Sequence, residues 1–297
     1  MKKWLHCELP RILADLSQAD FMVAPLPPAT GKKRDKHAKH PVPIPFYVEP
    51  SPHTHDHVEI ALVLEGPVYV ETEGQGGPVA KSAVLVFPPN VRHYDSYVAP
   101  STAYTVAWYV LWPGKPRMNV SRYRPKSGFE LFYVAELDPV LIPADDWAFV
   151  KTFARGVRPE LSRTKELLHA LYAATLEAAR RSGPMQQKDA VRKVVRDAVE
   201  YLERRLSDAP TVEMAAAFVG LSPTYLTTIV REQLGKPLHD VLAELRLAKA
   251  KELLASSTHS VKEIAHLSGF STADYFSRTF RRMTGMPPGR FRERHAR

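Results

Sequence analysis

Apolar and polar positions change rhythm along the chain. Near the start, Leu9, Ile12, Leu13 and Leu16 recur at helical spacing, which predicts a short helix within residues 1–22, ended by Pro25, Pro27 and Pro28. Between residues 41 and 135 the apolar runs at 58–64, 68–72, 83–87 and 102–112 are strand-length. They are rich in β-branched and aromatic residues and set apart by Gly, Pro or Asn. Short strands punctuated in this way predict a barrel or sandwich. After Pro159 the period lengthens: Leu161, Thr164, Leu168, Leu171, Thr175, Leu176 and Ala178 fall on one helical face. That helix, at 160–181, is expected either to pack on the barrel or to pair with its copy in a homodimer. Gly183-Pro184 interrupts the pattern, and from Lys188 onward nearly everything reads as helix.

The helical part repeats with a period of about 50 residues, the mark of a duplicated supersecondary unit. Gly235-Lys236-Pro237 returns as Gly285-Met286-Pro287, Arg231 as Arg281, Tyr225-Leu226 as Tyr275-Phe276, and Met214-Ala215 as Ile264-Ala265. Each copy predicts helix, tight turn, helix. In the first, residues 212–219 form a helix, Gly220 turns, Ser222 caps the next helix with Pro223 at its first position, and Gly235 closes it. In the second, Ser260 and Glu263 make a capping box for 261–268, Gly269 turns, Thr272 caps, and Gly285 closes. Residues 238–254 join the copies, with Val241, Leu242, Leu245, Ala248, Leu253 and Leu254 as the inward face. Tyr275, Phe276 and Phe280 are expected in the core. Asp274 is equally suited to capping its helix and to reading a base.

A helix of this kind fits the major groove of B-DNA, and residues near its N-terminus reach base edges. In the second copy these are Ala273, Asp274, Ser277 and Arg278. Arg281, Arg282, Arg290, Arg292, Arg294 and Arg297 are placed for phosphate. From residue 259 onward eight Lys/Arg stand against three Asp/Glu, so this end is distinctly cationic.

The stretch IAHLSGFSTADYFSRTFRRMTGMPPGRFR (264–292) resembles the signature of AraC/XylS-type transcription regulators. LSPTYLTTIVREQLGKPLHDVLAELRLAKAKELL (221–254) is similar to their first unit and connecting helix, and the resemblance covers about the last 110 residues. It implies two recognition helices entering successive major grooves of double-stranded DNA. The base-facing positions then fall on Thr224, Thr227, Thr228, Ala273, Asp274, Ser277 and Arg278, with RNA polymerase as a further partner. The first unit carries threonines where the family often has Arg, Gln or Lys, so the second is expected to dominate readout.

His53-x-His55-x3-Glu59 stands at the head of the β region, and Pro88-x-Asn90-x2-His93 follows. His53, His55, His57 and Glu59 share parity, so an extended backbone would aim all four one way, with Ala61 and Val63 behind them. Two His, a Glu and a distant His make a ligand set for a divalent first-row metal. The pattern resembles the two motifs of cupins, small barrels often used as sensors by AraC/XylS regulators. That resemblance puts His53, His55, Glu59 and His93 at the ligand positions, with Ser82 and Asn90 standing where cupins usually have glycine. Three readings stay open: a bound divalent metal, a metal-free pocket binding an effector through these residues and Trp108, or loop histidines without function. Tyr104, Trp108 and Trp112 share one parity and serve either as core or as a stacking surface for a sugar ring.

Composition adds constraints. The 297 residues suffice for about two domains. A net charge of +9 favours an anionic partner, and the basic run at 31–40 reads as a loop. Cys7 is the only cysteine, which excludes an intrachain disulfide and a cysteine-built zinc finger. The first ten residues lack the apolar core of a signal peptide, and no apolar stretch is long enough to span a bilayer. A cytoplasmic protein with no membrane partner is expected. The fold class is multidomain α+β. Residues 1–40 are a helix and basic loop, 41–135 a cupin-like barrel, 136–183 a linker with the possible pairing helix, and 184–297 an all-α domain with two helix-turn-helix units. The function that follows is a sequence-specific regulator, not an enzyme, under control of a small-molecule effector and working as a homodimer. The alternatives are a metal-dependent cupin enzyme fused to a DNA-binding module and a non-specific architectural DNA binder.

Overall fold

The computed structural model describes residues 21–23, 52–153, 160–182 and 187–295. It divides into two units. The first holds the described residues up to Val194 together with Val219–Tyr225. The second holds Val195–Phe218 and Leu226 onward.

Nine strands build the first unit: β1 (Phe21–Val23), β2 (Val58–Glu65), β3 (Val68–Thr72), β4 (Gln75–Val79), β5 (Val84–Phe87), β6 (His93–Tyr97), β7 (Tyr104–Leu111), β8 (Arg117–Arg124) and β9 (Gly128–Glu136). Six form one sheet in the order β1-β5-β2-β7-β8-β9, and three form another in the order β4-β3-β6. Most of the helix expected within residues 1–22 lies outside the described residues. Its last two positions belong to β1, which runs parallel to β5 with Phe21 opposite Val84. There the open edge of β5 outweighs local helical periodicity, because it offers a full ladder of backbone partners.

β2 shows how the barrel is layered. Val58, Ile60, Leu62 and Leu64 face one core, and Ala61 and Val63 face another. Both faces are buried, so the strand reads as an unbroken apolar run. The inner core takes Val68 and Val70 from the small sheet and Leu85, Phe87, Tyr104, Val106, Trp108 and Tyr123 from the large one. The outer core is closed by α1 (Ala144–Phe153) and α2 (Leu161–Ser182). Leu167, Leu168, Leu171, Ala174 and Ala178 of α2 are buried there, and Thr175 Oγ1 donates to Leu171 O at 2.8 Å. The apolar face that could have served packing or pairing is therefore spent on packing against the chain's own sheet.

α3 (Gln187–Arg204) continues from the first unit into the second. Then come α4 (Val212–Val219), α5 (Pro223–Leu234), α6 (Leu238–Ser256), α7 (Val261–Leu267), α8 (Ala273–Thr284) and α9 (Pro288–His295). The predicted caps form. Ser222 Oγ accepts from Tyr225 N at 3.3 Å, and Thr272 Oγ1 accepts from Tyr275 N at 3.1 Å. Ser260 and Glu263 close both halves of a capping box. Gly235 and Gly285 end α5 and α8 in the left-handed region, with φ of 71° and 80°. The core of the second helix-turn-helix gathers Leu247, Ala250, Leu254, Ile264, Ala265, Phe270, Phe276 and Phe280. On α6 the buried face differs from the expected one: Leu247 and Ala250 point in, whereas Leu245 is half-buried and Ala248 exposed. A helix between two packing partners need not keep a single stripe. Among the described residues, no helix is long and apolar enough to cross a membrane.

Candidate functional site

The barrel cavity is built by β2, β6, β7 and β8 and the segment ahead of β2. His53 and His93 exchange backbone hydrogen bonds at 3.0 Å in both directions, which ties that segment to β6. His55 and His57 stack at 4.1 Å between ring centroids. Three imidazoles then converge on one carboxylate. His55 Nε2 lies 3.2 Å and His93 Nε2 3.4 Å from Glu59 Oε2, and His57 Nε2 lies 3.3 Å from Glu59 Oε1. Burial by itself would raise the Glu59 carboxyl, but the imidazoles around it, His55 above all and then His57 and His93, hold it well below the usual range.

The opposite ring nitrogens are fixed by backbone. His55 Nδ1 is 2.8 Å from His57 O, and His93 Nδ1 is 3.0 Å from Val91 O. Carbonyls only accept, so these nitrogens carry protons and donate. That leaves both Nε2 atoms turned toward the carboxylate, buried and without an aligned hydrogen bond. Ligand atoms of His55, Glu59 and His93 all lie within 4.8 Å of one another. This donor set fits a divalent cation, which would replace these long, unaligned contacts with ligand bonds.

His53 does not join that set. The chain bends at residues 56 and 57 instead of running extended, so parity alone misplaces His53. It is half-buried, lines the cavity, and its ring stands 4.7 Å from that of His93. His57 supplies a contact to Glu59 that the ligand motif does not include. The two positions without the usual glycine adopt its conformation: Ser82 has φ of 70° and Asn90 φ of 66°.

The cavity, an empty space of about 620 Å³ with its mouth included, is lined further by Tyr94, Asp95, Trp108, Asn119, Ser121 and Phe129. Trp108 Nε1 donates to Ser121 Oγ at 3.2 Å, which fixes the indole against the cavity. Trp112 packs on His57 instead, 5.1 Å between rings. Burial raises the Asp95 carboxyl to about 6, tempered by the Tyr104 hydroxyl that donates to it at 3.1 Å. Gly220, Leu221, Ser222 and Tyr225 complete the wall, all within the first unit. Asn119 Nδ2 donates to Val219 O at 2.9 Å and Gly220 O at 3.1 Å, and Leu131 N donates to Tyr225 Oη at 3.1 Å. Gly220 is required twice over: its φ is +69°, and a Cβ there would stand 2.3 Å from Val110 Cγ2.

The candidate DNA-facing residues sort by exposure. On α8, Asp274, Arg278, Arg281 and Arg282 are exposed, and Ser277 is half-buried. None of Arg278, Arg281 and Arg282 forms a salt bridge among the described residues, so their charge is open to an outside partner. Ala273 packs in part on the core of Phe276 and Phe280, which limits its reach. Tyr275, expected inside, is 46% exposed, whereas Phe276 and Phe280 are fully buried. Its place three residues into α8 turns it to the face of Arg278 and Arg282. Asp274 is free of the capping duty, which falls to Thr272. On α5, Thr224 is exposed and Thr227 and Thr228 are half-buried. Arg290 and Arg294 on α9 are exposed, but Arg292 is half-buried and its guanidinium donates to His259 O. Arg297 lies outside the described residues.

Two family profiles match the chain. The one described as a helix-turn-helix domain covers residues 215–294, and the one described as an AraC-like ligand binding domain covers residues 48–115. Among similar proteins is the uncharacterized HTH-type transcriptional regulator YijO of Escherichia coli K12, 27% identical over 81% of this chain and 82% of its own length. The arabinose operon regulatory protein of the same organism is 26% identical over 78% of each chain. The HTH-type transcriptional regulator GlxA of Rhizobium meliloti is 39% identical, over 27% of this chain and 24% of its own. With two helix-turn-helix units behind a pocketed barrel, the chain belongs to the AraC family of DNA-binding transcription regulators.

Proposed function

We propose that a small molecule held in the barrel cavity controls how this regulator engages DNA in the cytoplasm. One observation carries the reading: Gly220, Leu221, Ser222 and Tyr225, from the turn and the start of the second helix of the first helix-turn-helix, form part of the cavity wall. A ligand that touches Asn119 or Tyr225 acts on groups that hold this turn through hydrogen bonds. Control requires a ligand with different affinity for the DNA-competent and DNA-incompetent arrangements, since equal affinity shifts nothing. His53, His55, Glu59, His93 and Trp108 are the proposed effector contacts. On the DNA side, Asp274, Ser277 and Arg278 read bases, with Arg281 and Arg282 on phosphate. Thr224, Thr227 and Thr228 make a weaker contribution, and a second copy of the chain and RNA polymerase complete the set of partners.

A second reading concerns the cavity's contents. The unaligned Nε2 atoms favour a divalent metal held by His55, Glu59 and His93, which would anchor an oxygen of the effector as a Lewis acid. Elemental analysis of protein purified without chelator should give about one metal per chain, and a value near zero removes this reading.

The regulatory reading is tested by mobility shift on DNA from the chain's own upstream region. A specific complex should persist at roughly 150 mM salt and withstand excess random DNA. Equal affinity for both DNAs would make the protein a charge-driven architectural binder instead.

A further inference from the structure

Resting on the effector reading above, we infer that the cavity selects an organic ammonium: a protonated amine carried on a compact apolar or aromatic body. The lining residues explain why. Glu59 and Asp95 bring two carboxyl groups, and among the described residues no Lys or Arg lines the space. Arg117, two residues along β8 from Asn119, is buried against Glu136 at 3.2 Å and is not part of the lining. Glu59 is already surrounded by three imidazoles. Asp95 receives the Tyr104 hydroxyl and feels one imidazole, that of His93, and among the described residues it meets no lysine or arginine.

Asn119 supplies an independent sign. The residue is fully buried and lines the cavity, and its Nδ2 is committed to the carbonyls of Val219 and Gly220. Its Oδ1 has no hydrogen-bond partner. A buried acceptor left this way is costly unless a donor arrives. The Asp95 carboxyl and the Asn119 Oδ1 thus bring two acceptors to one cavity, a poor match for a carboxylate or phosphate.

Tyr94, Trp108, Phe129 and Tyr225 enclose the same space with aromatic rings, and Phe129 and Tyr225 meet edge to face at 4.8 Å. Aromatic faces attract cations, and most strongly where water is excluded. A carboxylate, an unmet amide oxygen and aromatic walls together describe a receptor for R–NH3+. A neutral sugar would satisfy the acceptors but gain nothing from the carboxylate charge.

Three isosteric probes decide this on the full chain: benzylamine, benzyl alcohol and benzoate, each followed by calorimetry and thermal shift, with and without equimolar zinc. Benzylamine should bind about tenfold or more tightly than benzyl alcohol, and benzoate weakest, in both conditions. Asp95→Asn should erase the preference for the amine over the alcohol. Benzoate equal to or tighter than benzylamine, zinc included, overturns the proposal, as does failure of all three probes to bind at millimolar concentration. If the variant does not fold, the probe order on the unmodified protein still decides. Failure of DNA control is seen separately: an amine that binds without altering the mobility shift defeats effector control and leaves the ligand class standing.

Discussion

Gly220 and Gly269 hold the same place in two copies of one motif, and both take a left-handed backbone, with φ of +69° and +77°. Their surroundings differ. A Cβ on Gly220 would meet the Val110 side chain and the Asn119 amide, both on the barrel strands. A Cβ on Gly269 would meet the Leu206 carbonyl at 2.3 Å, inside the helical unit. The outward faces differ too. α8 exposes Asp274, Tyr275 and Arg278, whereas α5 exposes Thr224 and Arg231 and keeps Thr227 and Thr228 half-buried. Duplication supplied the same turn and caps twice. The copies differ at the positions beyond the shared turn and caps: the first sets its turn against barrel strands, and the second exposes arginines without a salt bridge among the described residues.

Three experiments sharpen or break this contrast. The largest effect is expected from Gly269→Ala. A left-handed non-glycine residue costs about 1–3 kcal/mol, and the displaced Leu206 carbonyl adds to that. Gly285→Ala has no atom within 4 Å of the new Cβ, so it should lose only about 1 kcal/mol. Chemical denaturation of both variants measures the gap, and equal losses would mean that the tight approach at Gly269 relaxes freely. Next comes readout. Arg278→Ala should lower discrimination at one base pair by about 1–3 kcal/mol, and Thr224→Ala by less than about 1 kcal/mol. Binding to a panel of single-site operator variants reads both, and a larger loss for Thr224 would reverse the assignment of roles. The smallest effect belongs to Arg281→Ala, which should weaken all DNA alike and reduce the salt slope by about one. A sequence-selective loss would instead move Arg281 among the base readers.

What the sequence disclosed follows physical lines. Caps and turn glycines were legible because their chemistry is local: Ser260 with Glu263, Thr272, and Gly235 with Gly285 depend only on neighbours a few residues away. Asn90 and Ser82 were legible in part. Asn tolerates a positive φ, but nothing within a few residues of Ser82 announces that the fold puts it there. β8 escaped notice for a different reason. Its outward residues, Met118 and Val120, are apolar, but its inward ones include Asn119 and Ser121, because that face lines a cavity. The alternation is there, but it is short, broken by a register shift between Val120 and Ser121 and flanked by Arg117, Arg122 and Arg124, so no strand-length apolar run marks the strand. The cavity escaped notice too: Asp95, Asn119 and Tyr225 come from three distant segments, and only tertiary structure joins them. Tyr275 misled because an aromatic at helical spacing from Phe276 and Phe280 looks like core, though it sits one position off the buried stripe.

β2 carries one further implication. Its odd positions, Glu59, Ala61 and Val63, face the cavity and inner core, and its even positions, Ile60 and Leu62, seal the sheet to α2. A single eight-residue strand thus belongs to two independent mutational neighbourhoods. Substitutions at the odd sites can change what the cavity accepts while the seam with the helix is left intact, so a new ligand preference can arise there without first passing through an unfolded intermediate sequence.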